Sequence, residues 1–309
     1  MGRKLLLFVI ILAVATVISA TWRGHNVERI ADARGRMVNG LHVESYGPEG
    51  APPVVLIHGA SGSTYDMTFA LAPKLAQDFR VYVVDRPGFG HSAPISRRGL
   101  TAQATAIRAA IAQIDPRPPI MLGQSYGGAV ALAWGVDAPD SLAALVLVSA
   151  PSHPWKGRPA WLYRVLSTPV IGGVTAWLIA AWVPPSYVAS EIDDVFAPQH
   201  APKGYGAYFQ PEMSLRPATH MLNARQRVAL KSQLDSMVEA YPALPMPIES
   251  LHGTADKTVP MAIHAQPLEA EAPTNHLTPL AGIGHMPHHV ATGAVAQAVM
   301  RAAKRAKLM

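Results

Sequence analysis

Gly123-Gln124-Ser125-Tyr126-Gly127 decides how this chain is read. The pentapeptide follows a short apolar run, Ile120 to Leu122, and opens a small-residue stretch with helical spacing, Tyr126 to Val136. A G-x-S-x-G string between a strand and a helix forms a turn so sharp that the serine hydroxyl stands clear of the backbone. Only small flanking residues let the two arms of such a turn pass each other. A string this short recurs by chance, so the flanking elements have to carry the assignment.

Working outward, Val54 to Ile57, Val81 to Val84 and Ala144 to Val148 are short apolar runs bounded by Gly, Pro or polar residues, the pattern of strands buried on both faces. Leu41 to Tyr46 alternates and reads as an early edge strand. Helical patterns over Thr64 to Gln77, Thr101 to Ile114 and Tyr126 to Val136 fill the intervals, each long enough for a right-handed crossover. After Ser149 the rhythm stops, and nearly a hundred residues rich in Pro, Trp and Tyr carry no strand pattern, which reads as a helical insertion placed as a lid. Strands resume at Pro247 to Leu251 and Leu277 to Leu280, and Val290 to Leu308 is an alanine-rich helix. The expected fold is therefore α/β, a mostly parallel sheet flanked by helices, with a helical lid between its two parts. The expected segments are 1–22 as an anchor or signal, 23–150 as the first part of the core, 151–245 as the lid and 246–309 as the second part.

The chain has 309 residues, half of them hydrophobic and 15% charged, which argues against disorder. The formal charge of +6 comes from scattered basic residues rather than a patch, so nucleic acid is not an expected partner. Without cysteine there are no disulfides or thiolate metal sites. Arg3 and Lys4 precede an uncharged run from Leu5 to Trp22, long enough for a targeting or anchoring segment, and without a clean small-residue cleavage site an uncleaved anchor is favoured. The expected location is thus membrane-anchored through residues 5–22, or exported, on the extracytoplasmic side. Arg23, Arg29, Arg34 and Arg36, interleaved with Glu28 and Asp32, blunt the charge asymmetry that fixes orientation. Val165 to Val183 is also uncharged, but Pro169, Gly172 and Gly173 interrupt it, and a crossing there would put Ser125 and the later strands on opposite sides of a bilayer.

A serine hydroxyl needs a base to take its proton and a third group to orient that base. His285, in the glycine-rich loop Gly282 to Pro287 after the last strand, is the candidate base. Asp256, in His252-Gly253-Thr254-Ala255-Asp256, emerges from the strand that returns after the insertion and is the candidate acid. His288 and His289 are expected to open the terminal helix, facing solvent or capping the site. Two backbone N–H groups are expected to face a developing oxyanion, from Tyr126 after the serine and from Ala60 in His58-Gly59-Ala60-Ser61-Gly62, where Gly59 permits an unusual backbone angle. This chemistry calls for no metal or organic cofactor.

From about Gly40 to Ala303 the chain resembles the lidded α/β-hydrolases of the alpha/beta-hydrolase-1 type. The motifs are Val54 to Gly59, Asp85-Arg86-Pro87-Gly88-Phe89-Gly90-His91-Ser92, Gly123 to Gly128, His252 to Asp256 and Gly284-His285. The resemblance implies a hydrolase with the order Ser, Asp, His, the Asp85 to Ser92 turn being structural, and the apolar lid favours a carboxylic ester of a small or medium apolar substrate. Cleavage of C–C, lactone, thioester or amide bonds on the same residues is the alternative, and a membrane-tethered binding protein without catalysis is the alternative of another class. Relatives that use an aspartate nucleophile are disfavoured by Ser125. Oligomeric state is not readable.

Overall fold

The computed structural model describes residues 2–30 and 34–309, so Asp32 lies outside the described residues. Eight strands form one sheet: β1 (Arg36–Val38), β2 (Leu41–Tyr46), β3 (Pro53–Ile57), β4 (Arg80–Val84), β5 (Ile120–Gln124), β6 (Ala144–Val148), β7 (Ile248–Gly253) and β8 (Asn275–Leu280). Their order is β1-β2-β4-β3-β5-β6-β7-β8, with β1 and β2 antiparallel to their neighbours and the rest parallel.

The central strands are buried on both faces, which is why they read as continuous apolar runs. Val55, Ile57, Tyr82, Val84, Met121, Leu145 and Leu147 point to one core. Their alternates Val54, Leu56, Val81, Val83, Ile120, Leu122 and Val146 point to the other. Each such side chain contributes about 1.5–3 kcal/mol of hydrophobic stabilisation. Among the helices, α1 (Gly2–Ile30), α2 (Thr64–Thr68), α3 (Leu71–Leu75), α4 (Leu100–Ala112) and α5 (Tyr126–Asp137) precede β6. The insertion comprises α6 (Trp161–Leu166), α7 (Val170–Trp182), α8 (Pro185–Phe196), α9 (Tyr205–Phe209), α10 (Glu212–Leu215) and α11 (Pro217–Asp235). The chain closes with α12 (Ala265–Glu271), α13 (Pro287–Val290) and α14 (Thr292–Arg305). Residues of α4 and α5 fill the first core, and α3 and α14 cover the second.

Four expectations change. Leu41–Tyr46 is not the edge, because Arg36–Val38 folds back through the Asn39-Gly40 turn and pairs with it. Thr64 to Gln77 is two short helices rather than one, and the terminal helix is interrupted at Ala291. The apolar N-terminal segment continues as helix to Ile30, well past Trp22.

That helix is the only one among the described residues that is by itself long and apolar enough to cross a membrane. At 1.5 Å per residue it is about 44 Å long, more than a hydrocarbon core of about 30 Å needs. Its second half packs on the insertion. Ser19 Oγ donates to Ala181 O at 3.0 Å, Trp182 Nε1 to Thr16 Oγ1 at 3.0 Å, and Arg23 to Val183 O at 3.1 Å. Glu28 pairs with Arg216 at 3.0 Å. The 13-residue α7, about 20 Å long, is too short to span alone.

The elbow at Ser125 depends on close backbone approach. A Cβ on Gly127 would lie 2.4 Å from Ile57 O, and one on Gly123 would lie 2.2 Å from Gly127 O. Gly127→Ala is therefore expected to cost about 1–3 kcal/mol, read as a lower urea midpoint, and an unchanged midpoint would show that the turn has slack.

Candidate active site

Ser125 sits between β5 and α5 with φ 50° and ψ −122°, a conformation disfavoured for a residue bearing a Cβ. Its N–H is held by Val148 O at 2.9 Å, which ties the turn to the neighbouring strand. The loop after β8 brings His285 across, with Nε2 2.9 Å from Ser125 Oγ. The loop after β7 delivers Asp256, whose Oδ2 lies 2.8 Å from His285 Nδ1. Asp256 Oδ1 accepts the backbone N–H groups of Thr258 and Val259, each at 2.9 Å. Burial alone would raise the Asp256 carboxyl, but hydrogen bonds from His252 and His285 and the Val259 amide outweigh it and hold the group well below the usual carboxylate range. Asp256 is thus ionised at neutral pH. His252, which the sequence reading left without a part, lies 3.4 Å from Asp256 Oδ2, and its Nε2 donates to Val259 O.

The loop after β3 faces Ser125. A Cβ on Gly59 would meet Gln124 Oε1 at 2.2 Å and Ser125 Cβ at 3.3 Å, so glycine is required here for close approach. Its expected unusual backbone angle is not seen; the positive φ falls on Ser61, at 57°. Residues of the insertion grip that loop, Asn223 accepting from Ser61 N–H at 3.2 Å and donating to Ser61 Oγ at 2.9 Å. The structure brings Ser125, His285 and Asp256 within hydrogen-bonding distance of one another, and Gly59, next to Ala60 in the chain, lies against Ser125.

His288 and His289 do not face solvent. Both are buried and direct Nε2 at Asp66 Oδ1, at 3.3 and 2.8 Å, and the same oxygen accepts the Tyr205 hydroxyl at 2.7 Å. Burial would raise Asp66, yet the two imidazoles hold it well below its ordinary value. The network joins α2 to α13, next to the His285 loop, and to α9 of the insertion. Asp66, His288 and His289 are close enough together to share a cation. The two Nδ1 atoms, however, have no partner among the described residues, whereas a metal-bound imidazole ordinarily donates its second N–H to an outer acceptor.

A serine over the carboxyl edge of a parallel sheet, against an imidazole and a carboxylate from later strand ends, defines a hydrolase of the α/β type. Residues 54–298 match the model of the alpha/beta hydrolase family, and the chain belongs to that family. It is a hydrolase. The pimeloyl-[acyl-carrier protein] methyl ester esterase of Methylococcus capsulatus is 30% identical over 72% of this chain and 83% of that protein. The Vibrio campbellii enzyme of the same name is 34% identical, but the match spans 47% of its length and 39% of this chain. Among solved structures, an esterase from Thermogutta terrifontis superposes with a TM-score of 0.68 at 23% identity, over 86% of this chain and 93% of that one. A bacterial membrane phospholipase A gives 0.69 at 21% identity over 99% of both chains.

Three buried histidines make the fold acid-sensitive. Burial, aided by Arg86, pushes His58 down to about 4. Burial with neighbouring histidines does the same to His264 and His288, each to about 4. Because the ordinary value is 6.5, unfolding takes up protons between pH 6.5 and 4, and stability falls as pH drops through that window. The expected loss is about 1 kcal/mol per pH unit for each histidine, measured as a falling urea midpoint; a flat midpoint would contradict it.

Proposed function

We propose that this chain is a serine esterase acting on a small or medium apolar carboxylic ester. The observation that carries the reading is the continuous relay from Ser125 Oγ through His285 to Asp256, at 2.9 and 2.8 Å. His285 Nε2 takes the hydroxyl proton as Oγ attacks the carbonyl carbon. Asp256 keeps Nδ1 protonated and stabilises the imidazolium. The N–H groups of Ala60 and Tyr126 hold the oxyanion, the second at the start of α5, where the helix dipole also favours negative charge. The tetrahedral adduct expels the alcohol, which takes the proton from His285. Water, deprotonated by the same imidazole, then releases the acid.

The preference for esters is supported by the methyl ester esterases among the relatives. In this reading α6 to α11 form the lid. An apolar substrate suits its surface, where Trp161 of α6 and Val170, Ile171, Val174 and Trp182 of α7 are exposed, α7 packing beside the apolar α1. The same continuity favours a membrane-anchored enzyme whose α1 inserts while its second half seats the lid.

A fluorophosphonate probe should label the wild type and leave Ser125→Ala unlabelled. Turnover of short p-nitrophenyl esters should fall about 10⁶-fold in Ser125→Ala and about 10⁴-fold in Asp256→Asn. Folded wild-type protein that neither takes the probe nor turns over any ester would remove the esterase reading.

A further inference from the structure

We propose that Arg86, in the turn after β4, is the positioning residue of the oxyanion hole. The inference rests on the serine hydrolase reading and assigns to that site a residue the reading does not use.

Arg86 is fully buried. Its Nη2 donates to Gly59 O at 3.0 Å, and its Nη1 to Gln103 Oε1 at 3.0 Å and Gln226 Oε1 at 2.8 Å. These acceptors are all neutral. The guanidinium carbon sits 4.1 Å from the Phe89 ring centroid and 4.6 Å from that of Tyr126, contacts that help a desolvated cation. Burial lowers the guanidinium to about 10, which leaves it charged at neutral pH. A buried arginine whose side-chain hydrogen bonds reach no carboxylate is costly to keep, and its partners show what it holds.

Gly59 O and Ala60 N–H belong to one peptide unit. The peptide is planar and trans, so fixing the direction of its C=O fixes the N–H in the opposite direction. Gly59 O accepts three donors, from Arg86 Nη2, His58 Nδ1 at 2.9 Å and Gly62 N at 3.3 Å. The His58 tautomer is set by Arg86 as well, because the Arg86 backbone N–H donates to His58 Nε2 at 3.0 Å and leaves the ring proton on Nδ1. One residue therefore controls two of the three groups that aim the Ala60 amide. The same guanidinium packs on the Tyr126 ring, whose residue supplies the second amide, and Gln103 Nε2 reaches the Tyr126 hydroxyl at 3.4 Å. Through Gln226, on α11, the insertion is joined to the same cation. A lysine places one compact charge there and lacks the planar fork that reaches the carbonyl and both glutamines at once.

The test is steady-state kinetics of Arg86→Lys and Arg86→Gln on p-nitrophenyl esters in the full chain, with active sites titrated by fluorophosphonate and folding checked by circular dichroism. A boronic acid that forms a tetrahedral adduct with the serine serves as the oxyanion probe. The proposal expects kcat per titrated site to fall about 10- to 100-fold with KM within twofold, and boronate affinity to fall in step with kcat, less in Lys than in Gln. It is overturned if a folded variant keeps kcat and boronate affinity within twofold, if KM alone rises, or if both variants unfold, which would make the arginine a fold support only. If the wild type itself fails to label or turn over, it is the serine hydrolase reading that fails, a result distinct from a normal wild type with indifferent Arg86 variants.

Discussion

The constraint on which the rest of the molecule depends is the backbone of Ser125, held at φ 50° and ψ −122°. A residue with a Cβ stays in that region only when its surroundings over-determine it. Here glycines on either side let the turn close, Val148 O anchors its N–H, and a wholly buried helix from Tyr126 to Gly135 wedges it against the sheet. The strain places Oγ over the carboxyl edge of the sheet, within reach of the loop that carries His285. The parallel order of β3, β5, β6, β7 and β8 then brings the His58, Asp256 and His285 loops to the same end.

Several charged groups around this point are buried. Asp85 accepts from His42 at 2.8 Å, Thr64 N–H at 2.7 Å and His91 N–H at 2.9 Å. Asp256 and Asp66 are each gripped by imidazoles, and Arg86 lies among neutral oxygens and aromatic faces. Asp85 and Asp256 hold backbone N–H groups of the loops beside them, whereas Asp66 ties three helices together through side chains. The insertion takes part directly, through Asn223 and Gln226 of α11 and Tyr205 of α9, so its position and the shape of the site are coupled.

Much of this was legible in the sequence because buried parallel strands and a serine elbow impose local requirements. Apolar runs such as Val54 to Ile57 and Ala144 to Val148 mark strands with both faces covered, and Asp256 and His285 follow strands at positions that the chain order makes natural. What escaped depends on tertiary partners. The three-residue strand Arg36–Val38 exists because β2 offers it an edge. Two adjacent histidines, 288 and 289, read along the chain as facing solvent or capping the site, because Asp66 and Tyr205, which close around them, are distant in sequence. Arg86 in the Asp85 to Ser92 turn read as structural because its reach to Gly59 O cannot be seen along the chain, and Gly59 is needed for close approach rather than for an unusual φ.

The central claim is that Ser125 presents its oxygen between the base His285 and the paired amides of Ala60 and Tyr126. The most direct measurement is a crystal structure of the enzyme after reaction with a phosphonate. The account predicts a covalent bond at Ser125 Oγ, with the phosphoryl oxygen about 2.7–3.1 Å from both amide nitrogens and His285 Nε2 beside the attached oxygen. A phosphoryl oxygen turned away from those amides, or an adduct on another residue, would contradict it.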